Sequence, residues 1–148
     1  RGDTVAGAEV LAQAFARSCQ LGDPCWEGTA ARGLALVAEA DGETDTAFAQ
    51  LADARVRCNR LADPYVWLDV HILDAQCLLG LRHGHPETEA WADRMHDIAS
   101  RTGMKELVVR ALLHRAALGG PEAAGDAEAA RLFAADIDNP ALDGLLDR

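Results

Sequence analysis

An imidazole and a carboxylate three positions apart, His71 and Asp74, interrupt the most apolar stretch of the chain, and Trp67 precedes His71 by four residues. Residues three and four apart share one face of a helix, so these three would stand in a row. Such a row sets an apolar anchor beside groups that give and take protons. A repeat of about 40 residues, argued below, brings in Arg110 and His114 by placing Asp74 opposite His114 and Val70 opposite Arg110. The expectation is a binding groove built from Trp67, His71, Asp74, Arg110 and His114, with the indole as anchor and the charged groups fixing orientation. Two alternatives stay open. His71 and Asp74 would merely satisfy each other at a buried spot while Glu106 pairs with Arg110 one turn away, or Asp74 with His71 or His114 would be the acid and base of a small enzyme.

Other chemistry-bearing residues carry less. His83 and His85 with Glu87 and Glu89 offer imidazole and carboxylate to a metal, but zinc sites add cysteines or a histidine pair one turn apart, so a solvated turn is expected and no metal. Gly119-Gly120-Pro121 lacks the Gly-Lys-Ser/Thr of a phosphate loop, no nucleophile elbow is present, and no cofactor is expected. Cys25 falls in the first turn of an expected helix, where the dipole lowers a thiol pKa, although burial against Trp26 would explain it equally. Cys19, Cys58 and Cys77 sit within apolar patterns and read as small core residues.

Alanine (30 residues) and leucine (19) dominate while aromatics are only 5 %, which favours helices over sheets. The net charge of -10 opposes direct nucleic-acid contact by this segment, because duplex affinity rests on cations neutralising phosphates. The same charge repels anionic membranes, and no apolar run is long enough to span one. Four widely spaced cysteines suit free thiols in a reducing compartment, so a cytoplasmic location is expected. A chain of 148 residues suits one domain, 1–148, read as a fragment of a larger multidomain protein.

The elements that position these residues follow from apolar spacing and punctuation. Helices are predicted from Asp3 to Gln20 (apolar at Val5, Ala8, Leu11, Ala12 and Phe15), Pro24 to about Ala40, Thr44 to near Leu61, and Tyr65 to Leu81. Further helices follow from Pro86 to Thr102, Met104 to Leu118, and Glu122 to Ile137 through Ala127, Ala130, Leu132 and Phe133, with a short one after Asn139-Pro140. All five prolines are read as helix openers. The 65–81 segment has no wide solvated face, so other helices must enclose it.

Asp23-Pro24 and Asp63-Pro64 are 40 positions apart, and 40 more reaches Gly103-Met104. The fold class expected is therefore all-α: a tetratricopeptide-like right-handed array of antiparallel helix pairs, seven to eight helices in all, with one unpaired helix in front. Exposed alanines of the seventh helix, Ala123, Ala127 and Ala130, would suit a homodimer or an internal neighbour.

Gly22-Asp23-Pro24-Cys25-Trp26-Glu27-Gly28, then Asp63-Pro64-Tyr65-Val66-Trp67 with Ile72-Leu73-Asp74-Ala75, then Met104 to Ala111 resemble the tetratricopeptide-like C-terminal region of large bacterial signal-transducing ATPases and LuxR-type transcription regulators. The resemblance implies a non-catalytic sensor or scaffold segment that binds a protein or peptide partner, or a small-molecule inducer, and relays it to domains outside this segment. The competing class is a purely structural dimerisation module, which an apolar outer patch without a pocket would mark.

Overall fold

Asp23 shows how local chemistry starts these helices. Its carboxylate accepts the backbone N–H of Cys25 (3.0 Å) and of Trp26 (3.3 Å), and Pro24 takes the first helical position, where its missing N–H costs nothing. In the computed structural model, which describes residues 4–60 and 62–146, the chain is helical throughout its regular structure. The elements are α1 (Thr4–Leu21), α2 (Pro24–Ala40), α3 (Thr44–Cys58), α4 (Val66–His83), α5 (Thr88–Thr102), α6 (Lys105–Leu118), α7 (Ala123–Ala134) and α8 (Pro140–Leu146). No strand occurs among the described residues. The expected ends at Asp3 and Leu61 lie outside them.

The prolines divide into two kinds, which corrects the reading of all five as helix openers. Pro24 and Pro140 are first helical residues, but Pro64, Pro86 and Pro121 stand two residues ahead of α4, α5 and α7. Pro86 and Pro121 each occupy the second position of a turn, closed by Thr88 N–H to His85 O (3.2 Å) and by Ala123 N–H to Gly120 O (3.3 Å). Proline's fixed φ suits that position as well as it suits a helix start, so the signal is real but two residues early. The starts of α2, α4 and α6 at Pro24, Val66 and Lys105 are consequently 42 and 39 residues apart.

The chain folds as two compact units, Arg1–Ala75 and Gln76–Arg148, with the division inside α4. In the first unit α2 packs on both α1 and α3. α2 and α3 approach closely at Gly28, where an added Cβ would lie 3.3 Å from Ala54 O and 3.0 Å from Leu68 Cδ2 of α4. Leu51, Ala54 and Cys58 of α3 with Leu68, Val70, Ile72 and Leu73 of α4 are fully or almost fully buried. Each such aliphatic side chain contributes about 1.5–3 kcal/mol of transfer free energy.

In the second unit α6 packs on α5 and on α7. Trp91, Met95, Ile98 and Ala99 form the buried stripe that their spacing predicts. Gly103 ends α5 in the left-handed conformation (φ 71°), with Met104 N–H returning to Ala99 O at 3.0 Å. α7 departs from its expected span and face. It stops at Ala134, and Ala130 and Ala134 are the residues turned inward, while Leu132 and Phe133 are exposed. Small side chains let α7 lie close on α6, and the bulky pair is left outside. Ala130 is thus fully buried within the chain and is not part of an exposed alanine face. No helix among the described residues is long and apolar enough to cross a membrane.

Candidate functional site

Between residues 68 and 80 of α4 only His71 and Leu78 are exposed. The helix is enclosed on the remaining sides, as its lack of a polar face requires. Its one open stripe begins at Trp67, which is 46 % exposed although indoles are mostly covered in folded chains. The rings of Trp67 and His71 meet edge to face, with centroids 6.1 Å apart and planes at 75°. Arg32 of α2 anchors this stretch from the side by donating Nε–H to the carbonyl oxygen of His71 at 3.0 Å. Asp74 continues the stripe by helical period but is 9 % exposed, against 46 % for the indole. Trp67, His71 and Asp74 belong to the first unit, Arg110 and His114 to the second. Arg110 there donates Nε–H to Glu106 Oε1 at 3.2 Å across one helical turn, and both it and His114 are half-buried.

The other polar residues of α4 are structural. Asp69, with its side chain 4 % exposed, receives Arg55 of α3 through Nε (2.8 Å) and Nη2 (3.5 Å). The most buried charge among the described residues of the first unit lies on α2. Glu27 of α2 accepts Arg57 Nη1 on Oε2 (2.8 Å) and Arg60 Nη2 on Oε1 (2.9 Å). Arg57 also bonds Asp53 (2.6 Å), and its guanidinium carbon lies 4.8 Å from the Phe15 ring centroid of α1. The Asp53 hydrogen bond holds the Arg57 proton above the usual guanidinium range, and Glu27 adds to it. One arginine therefore ties three helices. Apart from Arg57–Asp53, which are one helical turn apart, none of these ion pairs is visible in sequence spacing, since their partners are 14 to 33 residues apart.

The thiols differ from expectation. Burial first, and the Asp23 carboxylate second, push Cys25 above the ordinary thiol value, which outweighs the helix terminus expected to lower it. Trp26 beside it is 63 % exposed. Cys19 is exposed rather than core, whereas Cys58 and Cys77 are buried. None of the four is in a disulfide. Burial, with Asp69 next, raises Cys58 from an ordinary 9.0 to about 11. A thiol whose folded pKa is raised loses no stability below pH 9 and destabilises the fold as pH climbs from 9 towards 11, because the unfolded thiolate gains first. Maleimide at pH 8 is expected to label Cys19 rapidly, Cys25 more slowly, and Cys58 only on unfolding. Faster labelling of Cys25 than of Cys19, read by mass spectrometry, would contradict this account.

His85 stacks on Trp91 with centroids 4.6 Å apart, and its Nδ1 accepts the Glu87 N–H at 3.2 Å. Its ring thus helps to close the α4–α5 turn. No cluster of three or more histidine, cysteine, aspartate or glutamate residues is placed to hold a metal among the described residues.

The second unit also carries a cleft that sequence reading missed, of about 350 Å³ at the end of α6. Glu89 and Asp93 of α5 line one side, Glu122 and Asp126 the other, and Arg115 lies among them. Arg115 bonds Asp126 and Glu122 (3.1 Å each) and lies 3.6 Å from Asp93. The four carboxylates come from two helices about 30 residues apart in sequence, so no local motif announces them.

Fold and sites together define an all-α protein held by buried ion pairs, with a partly exposed indole–imidazole pair on an otherwise enclosed helix. No family model, no curated protein and no solved structure matches the chain.

Proposed function

We propose that this chain is a non-catalytic, tetratricopeptide-like helical-repeat segment of a bacterial transcription or signalling regulator, and that it binds a protein or peptide partner through the Trp67–His71 face of α4. The observation that carries the reading is the exposed indole. An aromatic side chain left 46 % open on a helix buried nearly everywhere else is the composition of an interface anchor. Arg32 and His71 add polar groups beside it that would orient an acceptor-rich segment. The right-handed stacking of α2–α3, α4–α5 and α6–α7 pairs belongs to the same proposal, supported by helix starts 42 and 39 residues apart and by the packing of α2 on α3 and of α6 on α7.

A photoreactive phenylalanine analogue placed at Trp67, with the more exposed Trp26 (63 % against 46 %) as control, tests it. A discrete adduct from position 67 and none from 26 is expected, and Trp67→Ala should weaken the captured partner by about 30-fold, the effect of losing a hot spot of about 2 kcal/mol. Equal adducts from both positions, or no change with Trp67→Ala, would remove the reading.

A further inference from the structure

Independently of the α4 face, we infer that the outer face of α1 pairs with the same face of a second copy of this chain, the two helices running antiparallel about Gln13. The inner side of α1 is already used, since it packs on α2 with Leu11 against Gly33. Every position of α1 that lies within about 80° of Gln13, at 3.6 residues per turn, is exposed. Three large aliphatic side chains stand in water there, Val5 (68 %), Val10 (65 %) and Leu21 (66 %). Their exposure alone does not say what covers them. The charges between them do.

Glu9 and Arg17 are the only acidic and basic residues of α1, and they stand four residues to either side of Gln13. Neither forms an ion pair with another described residue, and Arg17 meets only the exposed Gln20 amide oxygen at 3.2 Å. By contrast Arg55, Arg57, Arg110 and Arg115 are all paired within the chain. In an antiparallel pair with its two-fold axis at Gln13, residues equally far from Gln13 on opposite sides come level. Glu9 then meets Arg17 of the second copy twice over, and Val5 meets Leu21. Packed helices lie about 8–10 Å apart, within reach of both charged side chains. A parallel pair would set Glu9 on Glu9 and Arg17 on Arg17, and a partner of one charge sign would satisfy only one of the two. The charge pattern therefore selects a second copy, antiparallel and two-fold symmetric. Eighteen residues at about 1.5 Å each make a helix of roughly 27 Å, so the interface is small and the dimer weak and concentration-dependent.

The test is analytical ultracentrifugation of the native chain between roughly 10 and 500 μM, the range in which a small interface associates. A reversible monomer–dimer equilibrium is expected. Glu9→Arg and Arg17→Glu should each weaken it at least about tenfold, because symmetry makes both attractive pairs repulsive. The double reversal, Glu9→Arg with Arg17→Glu, should return it to within about threefold of the native value. Diffuse charge would act differently: Glu9→Arg reduces the net charge of -10 and would promote association. Val5→Ser with Leu21→Ser should also weaken the dimer at least about tenfold, and Val56→Ser on α3, where the side chain is 69 % exposed, less than about twofold. All replaced side chains are exposed, and circular dichroism checks that each variant keeps its helices. A native chain that stays monomeric overturns the proposal and leaves the α1 face to a different protein. A double reversal that restores nothing overturns the antiparallel pairing, and equal weakening by Val56→Ser reduces the effect to general apolar adhesion and overturns it too.

Discussion

Glu27→Ala should lower the stability of the fold by about 3 kcal/mol, the low end of what breaking a buried ion pair costs. Its carboxylate is 2 % exposed and takes one guanidinium on each oxygen, Arg57 at 2.8 Å and Arg60 at 2.9 Å. Removal strands two cations beside apolar surface. The low end applies because Arg57 and Arg60 side chains are 25 % and 44 % exposed, so water partly replaces the lost acceptor, and Arg57 keeps Asp53. Glu27→Gln keeps the shape and one strong acceptor and should cost less, about 2 kcal/mol, while Asp97→Ala at the exposed Asp97–Arg101 pair should cost under about 0.5 kcal/mol. Urea unfolding followed by circular dichroism reads all three as midpoint shifts at constant m-value. If Glu27→Ala and Asp97→Ala shifted the midpoint equally, the desolvation of Glu27 would cancel its attraction and the lock described above would contribute nothing.

That lock marks where sequence reading stops. Glu27 in the first turn of α2 reads as a surface anion favoured by the helix dipole, and Arg55 and Arg57 read as cations suited to the last turn of α3. Each local reading is correct and none reveals burial, because burial depends on which helix comes to lie alongside. Periodicity did reveal the faces themselves. The stripe Trp91, Met95, Ile98, Ala99 and the enclosure of α4 follow directly from apolar spacing. It failed on α7, where Leu132 and Phe133 outrank alanine on any hydrophobicity scale yet stand outside. There the closeness of α6 decided, and closeness selects small residues. Caps were legible where one residue does both jobs, as Asp23 does, and placed two residues early where the proline precedes the helix instead of opening it, as at Pro64, Pro86 and Pro121. Of the expected groove, the Trp67–His71 contact is the part that adjacent turns of one helix could guarantee.

Closeness also sets the second large effect, at Gly80. A Cβ added there would lie 2.3 Å from Thr88 Oγ1 and 3.0 Å from Thr88 Cγ2, inside any tolerable contact. Thr88 cannot simply swing away. It is 2 % exposed, and its hydroxyl donates to His85 O at 2.6 Å, a bond that fixes the α4–α5 turn together with the His85–Trp91 stack. Gly80→Ala must therefore either break that hydrogen bond or push the start of α5 off α4, and overpacking of this kind costs about 3 kcal/mol. A glycine inside a helix would otherwise gain roughly 1 kcal/mol from replacement by alanine, so the clash has to outweigh the propensity. The discriminating variant is Gly80→Ala combined with Thr88→Ala. It removes the hydroxyl and methyl that collide, leaving the Thr88 Cβ contact at 3.1 Å. The double variant should be more stable than Gly80→Ala alone by about 1–2 kcal/mol, a coupling available only to residues in direct contact. Simple additivity of the two substitutions, or a Gly80→Ala protein as stable as the parent, would show that α4 and α5 do not approach through this glycine and that the turn between them is set by something other than Thr88.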